Sequence, residues 1–232
     1  MTLQGSGAYP YISNRTFNVR GFSRGASIVY HQRWTDPTTA ALNDIRTSLA
    51  GPNTATITLT PNSSPGLDGT LVTGAAGSKV LVLLYPRNVV ITVTHGSAVV
   101  AESGVITGKD VYGRDMTEAW SVTAGTTSKT FTGAKAFKQI TQITITAATD
   151  ASANTNTIGD GVVFGLDVNG ALAGTGAAVK EIAIGALVVT GVLVAKSSAA
   201  AADSRGTYAP SAAPNGTNDY DLWYLSDDPE LS

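Results

Sequence analysis

Ser23 lies in Gly21-Phe22-Ser23-Arg24-Gly25, the spacing of a nucleophile elbow, in which a serine on a sharp strand-to-helix turn offers its hydroxyl to a neighbouring base. The residues downstream do not suit that chemistry. Residues 26–34 alternate as a strand, with Ile28, Tyr30 and Gln32 on one face and Val29, His31 and Arg33 on the other. The chain also lacks the strand-helix alternation of a hydrolase sheet. Ser23 is therefore expected on a glycine-flanked arm with no nucleophilic role. The two imidazoles, His31 and His95, fall in strand or strand-end segments where no sequence neighbour orients them, so neither is expected to act as a base or a metal ligand.

Other chemical motifs fail on context. Asp219, Asp221, Asp227, Asp228 and Glu230 lack the glycine-punctuated ligand order of a calcium loop. Gly159-Asp160-Gly161 and Gly174-Thr175-Gly176 lack the strand-to-helix setting, lysine or third glycine of a phosphate loop. Asn14-Arg15-Thr16, Asn62-Ser63-Ser64 and Asn215-Gly216-Thr217 match the glycosylation triplet, which arises often by chance in a chain rich in Asn and Thr. There is no cysteine, which removes thiolate ligands, thiol nucleophiles and disulfides together. The expectation is a protein that is not an enzyme and uses no cofactor or metal.

Binding remains. Tyr9, Tyr11, Arg15, Phe17, Arg20, Phe22 and Arg24 interleave behind Gly5-Ser6-Gly7, and Tyr, Phe and Arg are residue types that carry interface energy. These seven are the candidate partner-binding residues. Trp120, Trp223 and Tyr224 would serve a carbohydrate- or receptor-binding module if one sheet face displayed them, though burial in the core is the simpler reading. Only 14% of residues are charged, against about 25% in ordinary globular chains. Neutral polar surface loses less hydration than charged surface when covered, which favours lasting protein contacts. A net charge of -2 supplies no basic field for a polyanion, so nucleic acid is not an expected ligand. No apolar run approaches the ~20 residues of a membrane span, and the N-terminus lacks the order of a secretory signal.

The elements that must position these residues read as mainly β: a β-sandwich or jelly-roll-like body with an extended N-terminal arm and one short helix. The arm spans 1–34. A helix is expected over 35–51, with Thr35 or Asp36 as cap, Pro37 in its first turn, Leu42, Ile45 and Leu49 at helical spacing, and Gly51-Pro52 as its stop. The sandwich body spans 52–148, with strands near 56–60, 79–84, 89–94, 98–103, 118–123, 129–132 and 137–146, separated among others by Pro86, Gly104, Gly108 and Gly133. Residues 149–232 add strands near 162–166, 179–184, 187–194 and 221–225, which complete the body or form a second small β-subdomain.

The stretch Gly108-Lys109-Asp110-Val111-Tyr112-Gly113-Arg114-Asp115-Met116-Thr117-Glu118, its continuation through Ala119-Trp120-Ser121-Val122, and Thr130-Phe131-Thr132-Gly133-Ala134-Lys135-Ala136-Phe137 resemble virion structural proteins of tailed bacteriophages. So do residues 158–166, 205–208 and 215–220. The resemblance covers roughly 75–228. It implies a β-rich decoration or cement protein on the capsid surface, assembled in the host cytoplasm. Its implied partners are the major capsid protein, whose subunits it would bridge, and further copies of itself. A tail, neck or connector subunit, or a carbohydrate- or receptor-binding β-module, is the alternative.

Overall fold

The computed structural model describes residues 28–50, 55–57, 59, 67–73, 77–148, 154–167, 178–183, 186–188, 191–194 and 206–226. In chain order the strands are β1 Ile28–Trp34, β2 Arg46–Ala50, β3 Ala55–Ile57, β4 Gly69–Thr73, β5 Lys79–Thr94, β6 Glu102–Lys109 and β7 Asp115–Val122. They continue as β8 Ser128–Ala148, β9 Thr155–Gly165, β10 Ala178–Ala183, β11 Ala186–Val188, β12 Val192–Val194, β13 Thr207–Ala209 and β14 Tyr220–Ser226. Every pairing among the described residues is antiparallel. A ten-stranded sheet runs β12-β13-β9-β5-β8-β6-β7, with β2 paired to β9, β3 to β8 and β4 to β5. A four-stranded sheet runs β1-β14-β10-β11. The protein is mainly β, with a sandwich-like body.

Period-two patterning builds that body. Along β7, Met116, Glu118, Trp120 and Val122 are buried while Asp115, Thr117, Ala119 and Ser121 are exposed. Val89, Ile91 and Val93 of β5 face the same core as Ile106, Phe137, Ile140, Ile143, Ile145 and Ile158. Each such side chain contributes about 1.5–3 kcal/mol by burial, which is what this cysteine-free fold rests on.

Several residues that read as strand breaks lie inside strands instead. β5 runs through Pro86, where its pairing with β8 shifts register between Val82 and Arg87, so the missing N–H falls at an irregularity in the ladder. Gly104 and Gly108 sit within β6 because neighbouring chains approach them closely. A Cβ at Gly104 would meet Thr144 O at 1.8 Å and Trp120 Nε1 at 2.6 Å, and one at Gly108 would meet Gln139 O at 2.0 Å and the Phe137 ring at 2.7 Å. β6 shifts register against β8 at both points. β9 begins at Thr155, well before the strand expected near 162–166.

The helix expected over 35–51 is absent from the described residues of that stretch. Residues 35–45 cross the sheet as irregular chain, and 46–50 form β2. Asp36 has φ 44°, outside the helical region, immediately before Pro37. Amides of this stretch go to distant carboxylates, including that of Ala41, which a helix would have bonded to the Pro37 carbonyl. Asp36 N donates to Asp219 Oδ1 at 3.1 Å, Thr38 N to Asp68 Oδ2 at 2.6 Å and Ala41 N to Asp160 Oδ1 at 3.1 Å. Nor do the helical-spaced apolar residues share a face: Ile45 is buried in the core, whereas Leu42 is 54% exposed. Ile45 N donates to Ile158 O at 3.0 Å and starts the ladder with β9.

A second, aromatic core joins the two sheets. Trp34 of β1, Phe164 of β9, Tyr208 of β13, and Tyr220, Leu222 and Tyr224 of β14 are all buried together. Trp34 stacks on Phe164 at 4.9 Å and on Tyr208 at 6.0 Å between ring centroids. Gln32 fastens the same junction, donating to Gly165 O at 3.2 Å and accepting from Asp167 N at 3.0 Å.

Candidate functional site

The seven arm residues Tyr9, Tyr11, Arg15, Phe17, Arg20, Phe22 and Arg24 lie outside the described residues, as do Ser23, Asp227, Asp228, Glu230 and Gly174 to Gly176. Of the remaining candidates, His31 is held more firmly than its sequence neighbours suggest. Its Nε2 meets Asp221 Oδ1 at 2.7 Å, and its ring stacks on Trp223 at 4.4 Å. Both partners come from β14, across the sheet, where sequence spacing gives no hint of them. Asp219 pairs with Arg33, and this hydrogen bond holds the Asp219 carboxyl below the usual carboxylate range. His95 closes a turn, its Nδ1 accepting from Ser97 N at 3.0 Å and Ala98 N at 3.1 Å.

The aromatic candidates divide. Trp120 and Tyr224 are each 1% exposed, and Trp120 Nε1 donates to Thr144 O at 3.0 Å, so both belong to the core. Trp223 is half-buried under His31. The segment 108–118 forms the β6–β7 hairpin. Its loop is fixed by Asp110 Oδ1, which accepts from Tyr112 N and Arg114 N at 2.9 Å each, with Gly113 at φ 78° supplying the left-handed turn residue. Asn215 Oδ1 builds a comparable turn by accepting from Thr217 N and Asn218 N at 3.0 Å each.

The densest charged constellation is one that no motif announces. Arg87, in the middle of β5, is fully buried. Its Nε donates to Gly161 O at 2.9 Å and its Nη1 to Thr38 O at 3.0 Å. Nη1 also lies 2.5 Å from Asp160 Oδ2 and 3.9 Å from Asp68 Oδ2, and the guanidinium stands 5.4 Å from the Phe164 ring centroid. Asp160 N donates to Asp44 Oδ1 at 2.9 Å, which brings the two carboxyl groups side by side. Asp44 and Asp160 are each 1% exposed.

One buried guanidinium thus faces two buried carboxyls and the partly buried Asp68. Burial raises the Asp160 carboxyl to about 8, against the attraction of Arg87 and with the help of Asp44. Burial also raises Asp44 and lowers Arg87. Asp160 is the carboxyl in direct contact with Arg87, and burial together with the neighbouring carboxyl raises both Asp160 and Asp44, so the pair binds a proton more readily than two exposed carboxylates would. Together these groups bind the backbone of the 35–45 crossing to β5 and β9. Gly159 allows that crossing to lie flat, since a Cβ there would meet Ala41 O at 1.6 Å. The neighbouring Gly159-Asp160-Gly161 is strand, and what it serves is this contact.

Glu102 plays a similar part elsewhere. It is 2% exposed and accepts from Asn154 Nδ2 and Asn156 Nδ2 at 2.6 Å each, tying β6 to the start of β9. Glu118 Oε1 accepts from Ala134 N at 2.7 Å and Lys135 N at 3.2 Å, bridging β7 to β8. Glu102 thus joins two strands through asparagine side chains, and Glu118 through backbone amides. Compared with known proteins, the chain matches no family model, no curated sequence and no solved structure.

Proposed function

We propose that this chain is a non-enzymatic virion structural subunit that decorates a capsid and stabilises it by bridging major capsid protein subunits. The observation that supports this best is the setting of the arm. Residues 1–27 join the described fold at Ile28, the first residue of β1, which is the outermost strand of the four-stranded sheet. A sheet edge is a place where a neighbouring chain can be met, and the sequence just before it carries the aromatic and arginine residue types that supply interface energy. The buried charges support the same reading, since they serve as internal fasteners of a rigid body.

The test is deletion of residues 1–25, which leaves β1 and its pairing with β14 intact. Full-length and shortened protein are mixed with particles lacking the protein, sedimented and compared. If two arm aromatics each contribute about 1.5 kcal/mol net, binding weakens by roughly a hundredfold. Equal binding of both forms refutes the arm as the bridge. Crosslinks from the full-length chain to tail or neck proteins, with none to the major capsid protein, would move the subunit to those structures.

A further inference from the structure

The outward face of the central strands is a grid of hydroxyl and methyl groups. The inward residues Val89, Ile91 and Val93 of β5 lie in the core, so Val90, Thr92 and Thr94 point the other way. In register with them, β8 contributes Thr132, Thr130 and Ser128, and β9 contributes Gly159, Thr157 and Thr155. β2 adds Ala50 beside Thr155. Neighbours across strands are about 4.8 Å apart and successive outward residues along a strand about 6.8 Å.

None of these positions carries a charge, although the chain has 15 Lys and Arg and 17 Asp and Glu. A solvated sheet face ordinarily intersperses both signs for solubility. Here Ser128, Thr130 and Thr132 are exposed and Thr94, Thr155 and Thr157 partly so, while Val90, Thr92 and Gly159 between them are buried, so the accessible part of the face is the hydroxyls of β8 and β9 and the Thr94 end of β5. The hydroxyls of Thr92 and Thr130 lie 3.2 Å apart, in hydrogen-bonding contact across the two strands. At the end of the grid the crossing lies over Gly159 and leaves Leu42 54% exposed at its rim.

We infer that this threonine face of β8, β5 and β9 is a self-association surface that meets the same face of a second copy of the chain. The chemistry of the face selects that occupant. Across a two-fold axis a surface meets itself, so any charge would oppose its own sign, and this face has none. A threonine hydroxyl both donates and accepts, so an array of them is complementary to an identical array, while the methyl groups pack between. A strongly charged partner would find no counter-charge here, and covering neutral hydroxyls costs less hydration than covering ions. Strand register and exposure carry this inference, which stands whether or not the virion reading does.

The experiment uses full-length protein in sedimentation velocity runs from about 1 μM to about 500 μM, a range that brackets weak and moderate dimers. The native chain should form a dimer whose fraction grows with concentration. Thr130→Lys and Thr157→Lys should each weaken it about tenfold or more by placing like charges across the axis. Ser121→Lys, on the exposed side of β7 away from the grid, should leave it unchanged. Mixing Thr157→Lys with Thr157→Glu protein should restore association between unlike copies. The inference is overturned if the native chain stays monomeric throughout, if both lysine variants associate like the native chain, or if the Lys and Glu variants fail to associate when mixed. Circular dichroism of each variant excludes unfolding, and should a lysine variant misfold, Thr157→Glu alone must still dissociate.

Discussion

Replacing Asp160 with Asn should reshape the dependence of stability on pH. In the folded protein the Asp160 carboxyl is raised from 3.8 to about 8, principally by burial. A raised folded value means that the native state binds an extra proton between those two points. Its stabilising contribution is complete below the unfolded value and is lost as pH rises through the folded one. One proton of difference is worth about 1.4 kcal/mol per pH unit, so the native chain should lose about 3 kcal/mol between pH 5 and pH 7 through this residue. That is a large part of a stability that is ordinarily about 5–15 kcal/mol. Asp44 is raised too and acts with the same sign. Asn cannot ionise, yet it keeps an oxygen for the amide of Ala41 and leaves Asp44 to balance Arg87. Urea unfolding at pH 5, 6, 7 and 8 should show the native midpoint falling steeply and the Asp160→Asn midpoint falling much less, so that the variant is the more stable protein at pH 8. Parallel curves for the two proteins, or a native midpoint that rises with pH, would refute the proton-sharing arrangement.

Two further substitutions test the packing. Arg87→Met fills the volume of the guanidinium but leaves Asp44 and Asp160 without their countercharge, and should cost about 3–5 kcal/mol in urea unfolding at pH 7. Gly104→Ala drives a methyl into Thr144 O and should cost at least about 1–3 kcal/mol, whereas Gly96→Ala, with open space around it, should change stability by less than about 0.5 kcal/mol.

Local pattern and distant partners separate what can be read in the sequence from what cannot. The alternation over 115–122 is legible because every other residue meets the same core, so the residue types themselves record the burial. The breaks assigned to Pro86, Gly104, Gly108 and Gly133 rest on local propensity alone. What decides these positions is a neighbouring strand: the Trp120 ring and the Thr144 carbonyl occupy the space beside Gly104 that a side chain would need. The helix expected over 35–51 gives way for the same reason. Cap, proline and spacing are all present, but the amides of Asp36, Thr38 and Ala41 are taken by carboxylates at positions 219, 68 and 160. A single sequence read in windows cannot weigh such bonds against an intrahelical ladder.

The Arg87 cluster is hidden for a related reason, since its members come from four separate segments and no spacing links them. A weaker signal is nevertheless present. Arg87 and Asn88 interrupt a largely apolar run over 80–91, and Asp160 interrupts another over 158–166. A charge in the middle of a strand that is apolar on both sides must be buried, and a buried charge must find a partner. Two such strands with opposite charges are therefore candidates for adjacency, and β5 and β9 are neighbours, with Val89 opposite Asp160. The outward face of the same strands is legible in a similar way. Thr92 and Thr94 follow Val90 with no Lys or Glu among them, and Ser128, Thr130 and Thr132 alternate on β8 with Lys129 and Phe131, so the uncharged face proposed for self-association is recorded in the residue types of two strands that register then places side by side.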